Sequence, residues 1–265
     1  MPQPFFDLPA LEAALAETIY AGKLHFSAVT SSTNTDALEA ARAGAPHGSV
    51  YFADEQLAGR GRGDHAWHSV AGVGLYVSVL LRPAIPAVRL PLLPLAAGLA
   101  AAEAIHATTG LTIDLRWPND LLIGPRKTGG ILVEGKTEAS GVAFAVAGIG
   151  INVHQRSFAA DLATPATSLD LETDKQAPRQ PLLVALLKSL QREALGLLDA
   201  AAIETVPRRV LEASTWVHGR SVHVHGPQAC TGVTAGLDAN GFLLVQTENG
   251  LVTVHTGGLR AADTN

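Results

Sequence analysis

The run from Gln56 to Ser69, QLAGRGRGDHAWHS, carries the residues whose types and spacing are best suited to chemistry. Glycines alternate with Arg60 and Arg62, and Trp67 lies near the end of the run. The glycines give a backbone freedom that neither a helix nor a strand uses. Guanidinium groups bind phosphates and carboxylates through paired hydrogen bonds. The pattern therefore predicts a flexible loop that is mobile when empty and closes over an anionic ligand.

Two further motifs place charged or polar residues beside a turn. In RWPND (residues 116–120), Pro118 ends a strand, so Asn119 and Asp120 either face a cleft or belong to an ordinary turn. In KTGGILVE (residues 127–134), Lys127 precedes a pair of glycines. It is either a solvated charge at a hairpin tip or a ligand for a phosphate or carboxylate.

The segments SSTN (residues 31–34) and GIGIN (residues 148–152) are less specific. SSTN precedes a predicted helix, so it is expected to cap that helix and is also able to bind a polar ligand head. GIGIN lacks the third glycine of a dinucleotide fingerprint and opens no helix, which excludes a Rossmann site. No Walker A pattern occurs, and the ten histidines lack zinc-binding spacing.

Composition limits the class of protein. The chain has 265 residues, 47% of them hydrophobic, and a net charge of −5, which favours a folded protein without a general affinity for nucleic acid. The single cysteine, Cys230, suits a reducing compartment. No signal peptide is recognised, and Leu90–Ile105 is interpreted as a core helix instead of a membrane span. A soluble, cytoplasmic protein is therefore expected.

The elements that must position these motifs follow from periodicity and turn residues. We predict helices over Asp7–Gly22, Asn34–Ala43, Leu92–His106, Pro181–Ala201 and Pro207–Ala213. We predict strands over His25–Val29, Ser49–Ala53, Leu75–Leu81, Thr112–Trp117 and Val142–Val153, and a hairpin of Leu121–Ile123 with Gly130–Lys136. The irregular mixture of strands and helices favours an α+β domain over a doubly wound one.

From residue 221 onward the chain becomes rich in short strands separated by glycine-containing turns. The predicted strands are Ser221–His225, Thr231–Leu237, Gly241–Gln246 and Leu251–His255. This segment is expected to form a small β barrel or sandwich packed on the main domain, since it is near the size limit for independent folding.

The order of the motifs, and not any one of them, is informative. From Phe26 to about Arg260 the chain resembles the biotin protein ligases (biotin–acetyl-CoA-carboxylase ligases). The resemblance implies a catalytic domain with a mixed sheet over residues 1–216 and an SH3-like β-barrel over residues 217–265. It also implies that the chain activates biotin with ATP and Mg²⁺ to biotinyl-5′-AMP and then transfers biotin to one lysine of a biotin carboxyl carrier protein.

The same resemblance assigns roles to residues matched by motif. Biotin binding is implied for Ser32, Thr33, Asn34, Gln56, Arg60, Gly61, Arg62, Lys127 and Gly130. ATP binding is implied for Arg62, Trp67, Asn119, Lys127 and Asn152, with Trp67 either near the adenine, at the end of the loop, or in the core. Catalysis is implied for Lys127, Arg62 and Asp120, and Asp120 or Asn119 is expected to bind Mg²⁺ either directly or through a water molecule.

This chain departs from the family pattern in two places. Gly63-Asp64-His65 stands where many family loops read x-Gly-Arg, so a third loop arginine is replaced by His65 and a carboxylate is added. Only about 25 residues precede the ligase region, too few for a winged-helix domain. A monofunctional enzyme without DNA or membrane partners is expected. The resemblance also implies a possible homodimer formed through the sheet of the catalytic domain. A lipoate–protein ligase and a non-catalytic biotin sensor are the alternatives.

Overall fold

A mixed seven-stranded sheet organises the first part of the chain in the computed structural model, which describes residues 6–63 and 65–262. The sheet order is β1-β2-β3-β7-β6-β5-β4; β1 and β2 are parallel, and every other neighbouring pair is antiparallel. The strands are β1 (Leu24–Thr30), β2 (Val50–Gln56), β3 (Gly74–Leu81), β4 (Asp114–Arg116), β5 (Asp120–Ile123), β6 (Arg126–Glu138) and β7 (Gly141–Asn152). The predicted α+β class with a mixed sheet is confirmed.

Seven α-helices and one short 3-10 helix, Ala87–Arg89, lie within the described residues, and the second, third and fifth α-helices pack against the sheet. The α-helices are α1 (Leu8–Ala14), α2 (Thr33–Arg42), α3 (Leu92–Thr109), α4 (Leu169–Glu172), α5 (Arg179–Gly196), α6 (Ala200–Ile203) and α7 (Val206–Glu212). The segment containing α3, residues 87–109, is long and apolar enough to span a membrane by length and composition. However, 61% of that window is buried inside the protein, and α3 packs against α5 and the sheet as a core helix.

Several predicted elements are shorter than expected. Helix α1 ends at Ala14 instead of Gly22, because the chain turns where the Thr18 hydroxyl donates to the carbonyl of Leu15. The long helix predicted to Ala201 is interrupted after Gly196, since Asp199 accepts hydrogen bonds from two backbone amides and caps the separate helix α6. Strand β4 covers only three of the six residues predicted for it.

The second sheet contains five antiparallel strands in the order β11-β10-β9-β8-β12 and corresponds to the expected SH3-like module. The strands are β8 (His218–His225), β9 (Cys230–Leu237), β10 (Leu243–Thr247), β11 (Gly250–Val254) and β12 (Gly258–Ala261). Strand β12 was not predicted; it pairs with β8 and buries Leu259.

The C-terminal module packs against the catalytic domain through the turn between β9 and β10. Gly241 lies against Leu92 and Leu95 of α3, where a β-carbon would approach the Leu95 side chain to 2.8 Å. The carbonyl of Gly241 accepts a hydrogen bond of 3.0 Å from Nε1 of Trp117. One hydrophobic core runs through both parts, so the module is held close to the RWPND motif.

Candidate active site

The first group of predicted site residues lies at the N-terminus of α2. Ser32 is the N-cap residue by position, but its side chain makes no capping hydrogen bond. The cap is supplied by Gln56 at the end of β2, whose Oε1 accepts from the backbone N–H of Thr33 at 2.9 Å. The SSTN segment therefore stands at the start of the helix as predicted, but the side chain that accepts the capping hydrogen bond is that of Gln56.

Buried hydrogen bonds extend this group across the sheet. Thr33 Oγ1 lies 2.8 Å from Ser78 Oγ, and Ser78 donates to Asn34 Oδ1 at 2.7 Å. Asn34 occupies the space that a side chain at Gly148 would fill, because a β-carbon there would overlap Asn34 Oδ1. We call Ser32, Thr33, Asn34, Gln56 and Ser78 the polar cluster. Sequence reasoning missed Ser78, although a serine within the fully buried strand β3 is itself a signal.

The second group forms where β4, β5 and β6 meet. Asp120 Oδ2 accepts from Arg116 Nη2 at 2.7 Å, and Asp120 Oδ1 lies 2.5 Å from Lys127 Nζ. Asn119 is fixed to β6, since its Nδ2 donates to the carbonyl of Ile131 at 2.8 Å. We call Arg62, Arg116, Asn119, Asp120 and Lys127 the charged cluster. Sequence analysis did not identify Arg116 as a site residue. Its guanidinium pairs with the Asp120 carboxylate, which Lys127 also contacts.

Opposing effects act on the Asp120 carboxyl. Burial raises its pKa, but the positive charges of Lys127 and Arg116 and their hydrogen bonds outweigh burial, and the net pKa lies below the ordinary value of 3.8. Asp120 is therefore an anion at neutral pH. It is a poor general base there, because an effective base has a pKa near the working pH.

The expected role of Asp120 as a direct magnesium ligand does not fit this arrangement. Both carboxylate oxygens are already bound by cationic side chains. Within residues 6–63 and 65–262, no group of three or more histidine, cysteine or acidic residues is placed to hold a metal. Mg²⁺ commonly keeps several waters and binds through substrate phosphates with one or two carboxylates. The chain alone offers no closed metal site here.

The Trp67 ring packs against two glycines, Gly130 and Gly150, beside Lys127. Gly130 and Gly150 are paired across β6 and β7, and a β-carbon on Gly150 would lie 2.7 Å from Trp67 Nε1. The Lys127 ammonium is 5.6 Å from the centre of a Trp67 ring. Trp67 Nε1 and Thr128 Oγ1 are buried and have no hydrogen-bond partner among the described residues. Because unpaired buried donors are costly, such atoms favour a site that receives a polar ligand.

The arginine–glycine run forms a short hairpin over the two clusters. Gly61 N donates to the carbonyl of His65 at 2.7 Å, and Trp67 N donates to the carbonyl of Gly59 at 2.8 Å. Gly63 near the tip has a φ of 61°, a conformation that favours glycine. Asp64, part of the departure from the family pattern, lies outside the described residues.

The two arginines of this loop point to different partners. Arg60 pairs with Glu134 at 2.6 Å, beside the polar cluster. Arg62 joins the charged cluster: its Nη1 lies 3.5 Å from Asn119 Oδ1 and donates to the Gly257 carbonyl at 2.8 Å, while Nη2 is 3.3 Å from Thr256 Oγ1. Burial lowers the pKa of Arg62, and the negative charge of Asp120 opposes that change. An arginine nevertheless stays protonated at neutral pH.

Asn152 is connected to these residues through one intervening segment. Its Nδ2 donates to the carbonyl of Thr167 at 3.0 Å, and Thr167 N donates to the carbonyl of Lys127 at 2.9 Å. The structure thus brings the predicted residues into two clusters, with Asn152 beside the charged one. Gln56, Arg60, Gly61, Arg62 and Trp67 belong to the loop that joins the clusters or to its ends.

Comparisons with known proteins agree with this arrangement. Residues 26–152 match the Biotin/lipoate A/B protein ligase family, and residues 217–257 match the Biotin protein ligase C terminal domain. These matches define the class as ligases with an α+β catalytic domain and a small C-terminal β domain.

Individual relatives narrow the class. The bifunctional ligase/repressor BirA of Bacillus spizizenii is 34% identical over 242 residues, covering 89% of this chain and 73% of the relative. The biotin–acetyl-CoA-carboxylase ligase of Mycobacterium tuberculosis is 32% identical over 241 residues, covering 89% and 87%. The Aquifex aeolicus biotin protein ligase in complex with biotin and ATP has a TM-score of 0.78 at 30% identity, covering 91% of this chain and all of that one. The chain belongs to the biotin protein ligase family.

Proposed function

We propose that this protein activates biotin with ATP to biotinyl-5′-AMP and then transfers the biotinyl group to a lysine of a biotin carboxyl carrier protein. The observation that carries the proposal is the meeting of Lys127 and Arg62 around Asn119 and Asp120 beneath the Trp67 ring. The three cations of the charged cluster lie beside one fixed anion, Asp120, so net positive charge remains there to receive a second anion. The similar ligase from Aquifex aeolicus was solved with biotin and ATP, so we propose that this second anion is the biotin carboxylate or a phosphate of ATP.

In the first step, a carboxylate oxygen of biotin attacks the α-phosphorus of ATP and pyrophosphate leaves. Two anions must approach, so preorganised cations dominate catalysis. Lys127 is the proposed catalytic residue that holds the carboxylate beside the phosphorus. Arg62 is proposed to bind phosphate oxygens, and Asp120 to hold Lys127 in place as a charged group.

In the second step, the carrier's neutral lysine amine attacks the acyl carbon and AMP leaves with the bonding electron pair. The amine's proton is lost to solvent, because the low pKa of Asp120 makes it an ineffective base. The mixed anhydride is sensitive to water, so closure of the loop from Gln56 to Ser69 over it protects the intermediate.

The remaining site residues divide between the two substrates. We assign the polar cluster, with Arg60, Gly61 and Gly130, to biotin, because its hydroxyl and amide groups suit a neutral polar ring. Trp67, Asn119 and Asn152 are assigned to ATP. Magnesium is proposed to arrive with the ATP phosphates, where it neutralises their charge, and Asp120 is not its direct ligand.

A mass measurement tests this proposal. The protein is mixed with ATP, Mg²⁺, biotin and an isolated biotin carrier domain, and the mass of the carrier is determined. We expect the carrier to gain one biotinyl group, and replacing its acceptor lysine by arginine abolishes the gain. Gain with lipoate but not with biotin would instead support a lipoate–protein ligase, and binding of biotin without any transfer would support a sensor.

Other properties follow as proposals from composition and fold. The net charge of −5 and the single free cysteine favour a cytoplasmic enzyme that binds neither DNA nor membranes. Retention of a DNA fragment at low salt would contradict this.

We propose a domain boundary at residues 216/217, just before β8. A homodimer is proposed through the outer strand β1, where Val29 is half exposed; sedimentation velocity tests it.

A further inference from the structure

Glu134 connects the arginine loop to the polar cluster. Its carboxylate accepts two hydrogen bonds from Arg60, with Nη1 at 3.0 Å from Oε1 and Nη2 at 2.6 Å from Oε2. The same Oε2 accepts from Asn34 Nδ2 at 2.8 Å. One carboxylate therefore contacts both the arginine–glycine loop and a residue assigned to the biotin pocket.

The two ends of this connection differ in their burial. Glu134 lies within β6, where it is paired with Val146 of β7, and Asn34 is buried. Arg60 belongs to the loop, and its side chain is 41% exposed. A partly exposed ion pair contributes little to overall stability. Its paired geometry is nevertheless specific, because a guanidinium and a carboxylate align through two parallel hydrogen bonds. The contact is suited to fixing the loop in place and not to stabilising the fold.

The charge of Glu134 also separates the roles of the two loop arginines. Arg60 is neutralised by Glu134, whereas Arg62 is bound mainly by the neutral oxygens of Gly257 and Thr256. A phosphate near Arg60 would be repelled by the Glu134 carboxylate. Arg62 therefore keeps its charge available to an anion, and Arg60 does not.

We propose that Glu134 is a positioning residue that latches the closed loop through Arg60 and couples this latch to Asn34 in the biotin pocket. This inference rests on the proposed function for its consequence, which is retention of biotinyl-5′-AMP until the carrier arrives. Because its carboxylate is already bound by Arg60 and Asn34, Glu134 is placed to act through the loop and not on the reacting atoms. Its loss leaves adenylation intact and lets the intermediate escape.

Glu134→Gln tests the latch with little disturbance. Glutamine keeps an oxygen that accepts from Asn34 but loses the charge and the second acceptor for Arg60. We expect biotin-dependent pyrophosphate exchange to stay within about twofold of wild type. Free biotinyl-5′-AMP is expected to appear about threefold to fivefold faster when no carrier is present, the factor typical of losing a partly exposed ion pair.

Matched variants separate the latch from a general structural effect. Arg60→Gln removes the other partner from an exposed position and leaves the Asn34–Glu134 hydrogen bond. It is expected to release the intermediate at least as fast as Glu134→Gln, because Arg60 is also assigned to biotin. The double variant is expected to be no worse than Arg60→Gln alone. The charge exchange Arg60→Glu with Glu134→Arg is expected to restore retention only in part, because it rebuilds the ion pair but leaves Asn34 Nδ2 without its carboxylate acceptor. Glu204→Gln, which removes the partner of Arg89 in a different ion pair, is the control and is expected to behave as wild type.

Limited proteolysis gives a readout that does not need ligase activity. We expect trypsin to cut the loop of Glu134→Gln about threefold faster than that of wild type or Glu204→Gln, without added ligand. Unchanged cleavage together with unchanged release of the intermediate would overturn the latch. If the wild-type protein forms no biotinyl-5′-AMP, the proposed function fails, and the cleavage rates still decide whether Glu134 holds the loop.

Discussion

At the scale of single residues, the charged cluster distinguishes the two roles predicted for Lys127. The lysine is not only a solvated charge at a hairpin tip but part of a cluster of charged side chains. Lys127 pairs with Asp120 at 2.5 Å, and Asp120 is held from its other side by Arg116 at 2.7 Å. The carboxylate is shared, so it cannot neutralise both cations. The residual positive charge at Lys127 is what an incoming carboxylate and phosphate require.

Lys127→Ala tests this charge directly. We expect biotin-dependent pyrophosphate exchange to fall by about 10²–10³-fold, the effect of removing one preorganised donor at a developing charge. Lys136→Ala, which removes an exposed lysine on the same strand, is the control. A Lys127→Ala rate within threefold of wild type would show that the lysine plays no catalytic role.

The lowered pKa of Asp120 makes a prediction about stability and pH. A carboxyl whose pKa is lower in the folded state stabilises the fold above its unfolded pKa, and that contribution is lost as pH falls through the folded pKa. Asp120→Asn is expected to cost about 3 kcal/mol at neutral pH, since it breaks a buried pair. Urea unfolding at several pH values should show this difference constant above about pH 5 and shrinking below the ordinary pKa of 3.8. A difference that does not change down to pH 2 would contradict the assignment.

At the scale of elements, the start of α2 depends on a neighbouring strand. Gln56 caps the helix from the end of β2, and β7 accommodates Asn34 by having no side chain at Gly148. Helix α2, the strands β2, β3 and β6 and the loop therefore share one connected set of hydrogen bonds. A small change in β7 should reach the biotin pocket through Asn34.

Gly148→Ala is the corresponding test. The added methyl group would overlap Asn34 Oδ1, so we expect a loss of about 1–3 kcal/mol in unfolding free energy and weaker biotin binding by calorimetry. Gly196→Ala at the end of α5 is the matched control, because the nearest atom to its β-carbon is 3.8 Å away. Biotin affinity equal in the two variants would show that Asn34 is not part of the pocket.

At the scale of the whole molecule, Arg62 joins the loop of the catalytic domain to the C-terminal module. The turn that accepts its hydrogen bond is built tightly, since a β-carbon on Gly257 would collide with the His225 carbonyl. Gly226 also packs against this turn, because a β-carbon on Gly226 would lie 3.3 Å from the Cα of Gly257. The C-terminal module thus fixes the position of an arginine assigned to the phosphates.

Adjacent glycines allow a controlled test of this connection. Gly257→Ala should displace the turn, free Arg62 and raise the KM for ATP about tenfold, the loss expected for one hydrogen bond to a charged group. Biotin binding should change little, because Arg62 lies in the charged cluster. Gly258→Ala is expected to have no effect, since no atom lies within 4 Å of its added β-carbon. Equal KM values for the two variants would refute the role of the module.

The amino-acid sequence by itself determined the family, the α+β class, most elements and the residues of the loop and of the RWPND and KTGGILVE motifs. It could do so because turn residues, periodicity and motif order are local properties of the chain. The partners of those residues were decided only in the tertiary structure. Gln56 caps a helix 23 residues away, Arg62 reaches a carbonyl 195 residues away, and Glu134 meets both Arg60 and Asn34. These pairings depend on strand register and on the packing of the two modules, which no local pattern encodes.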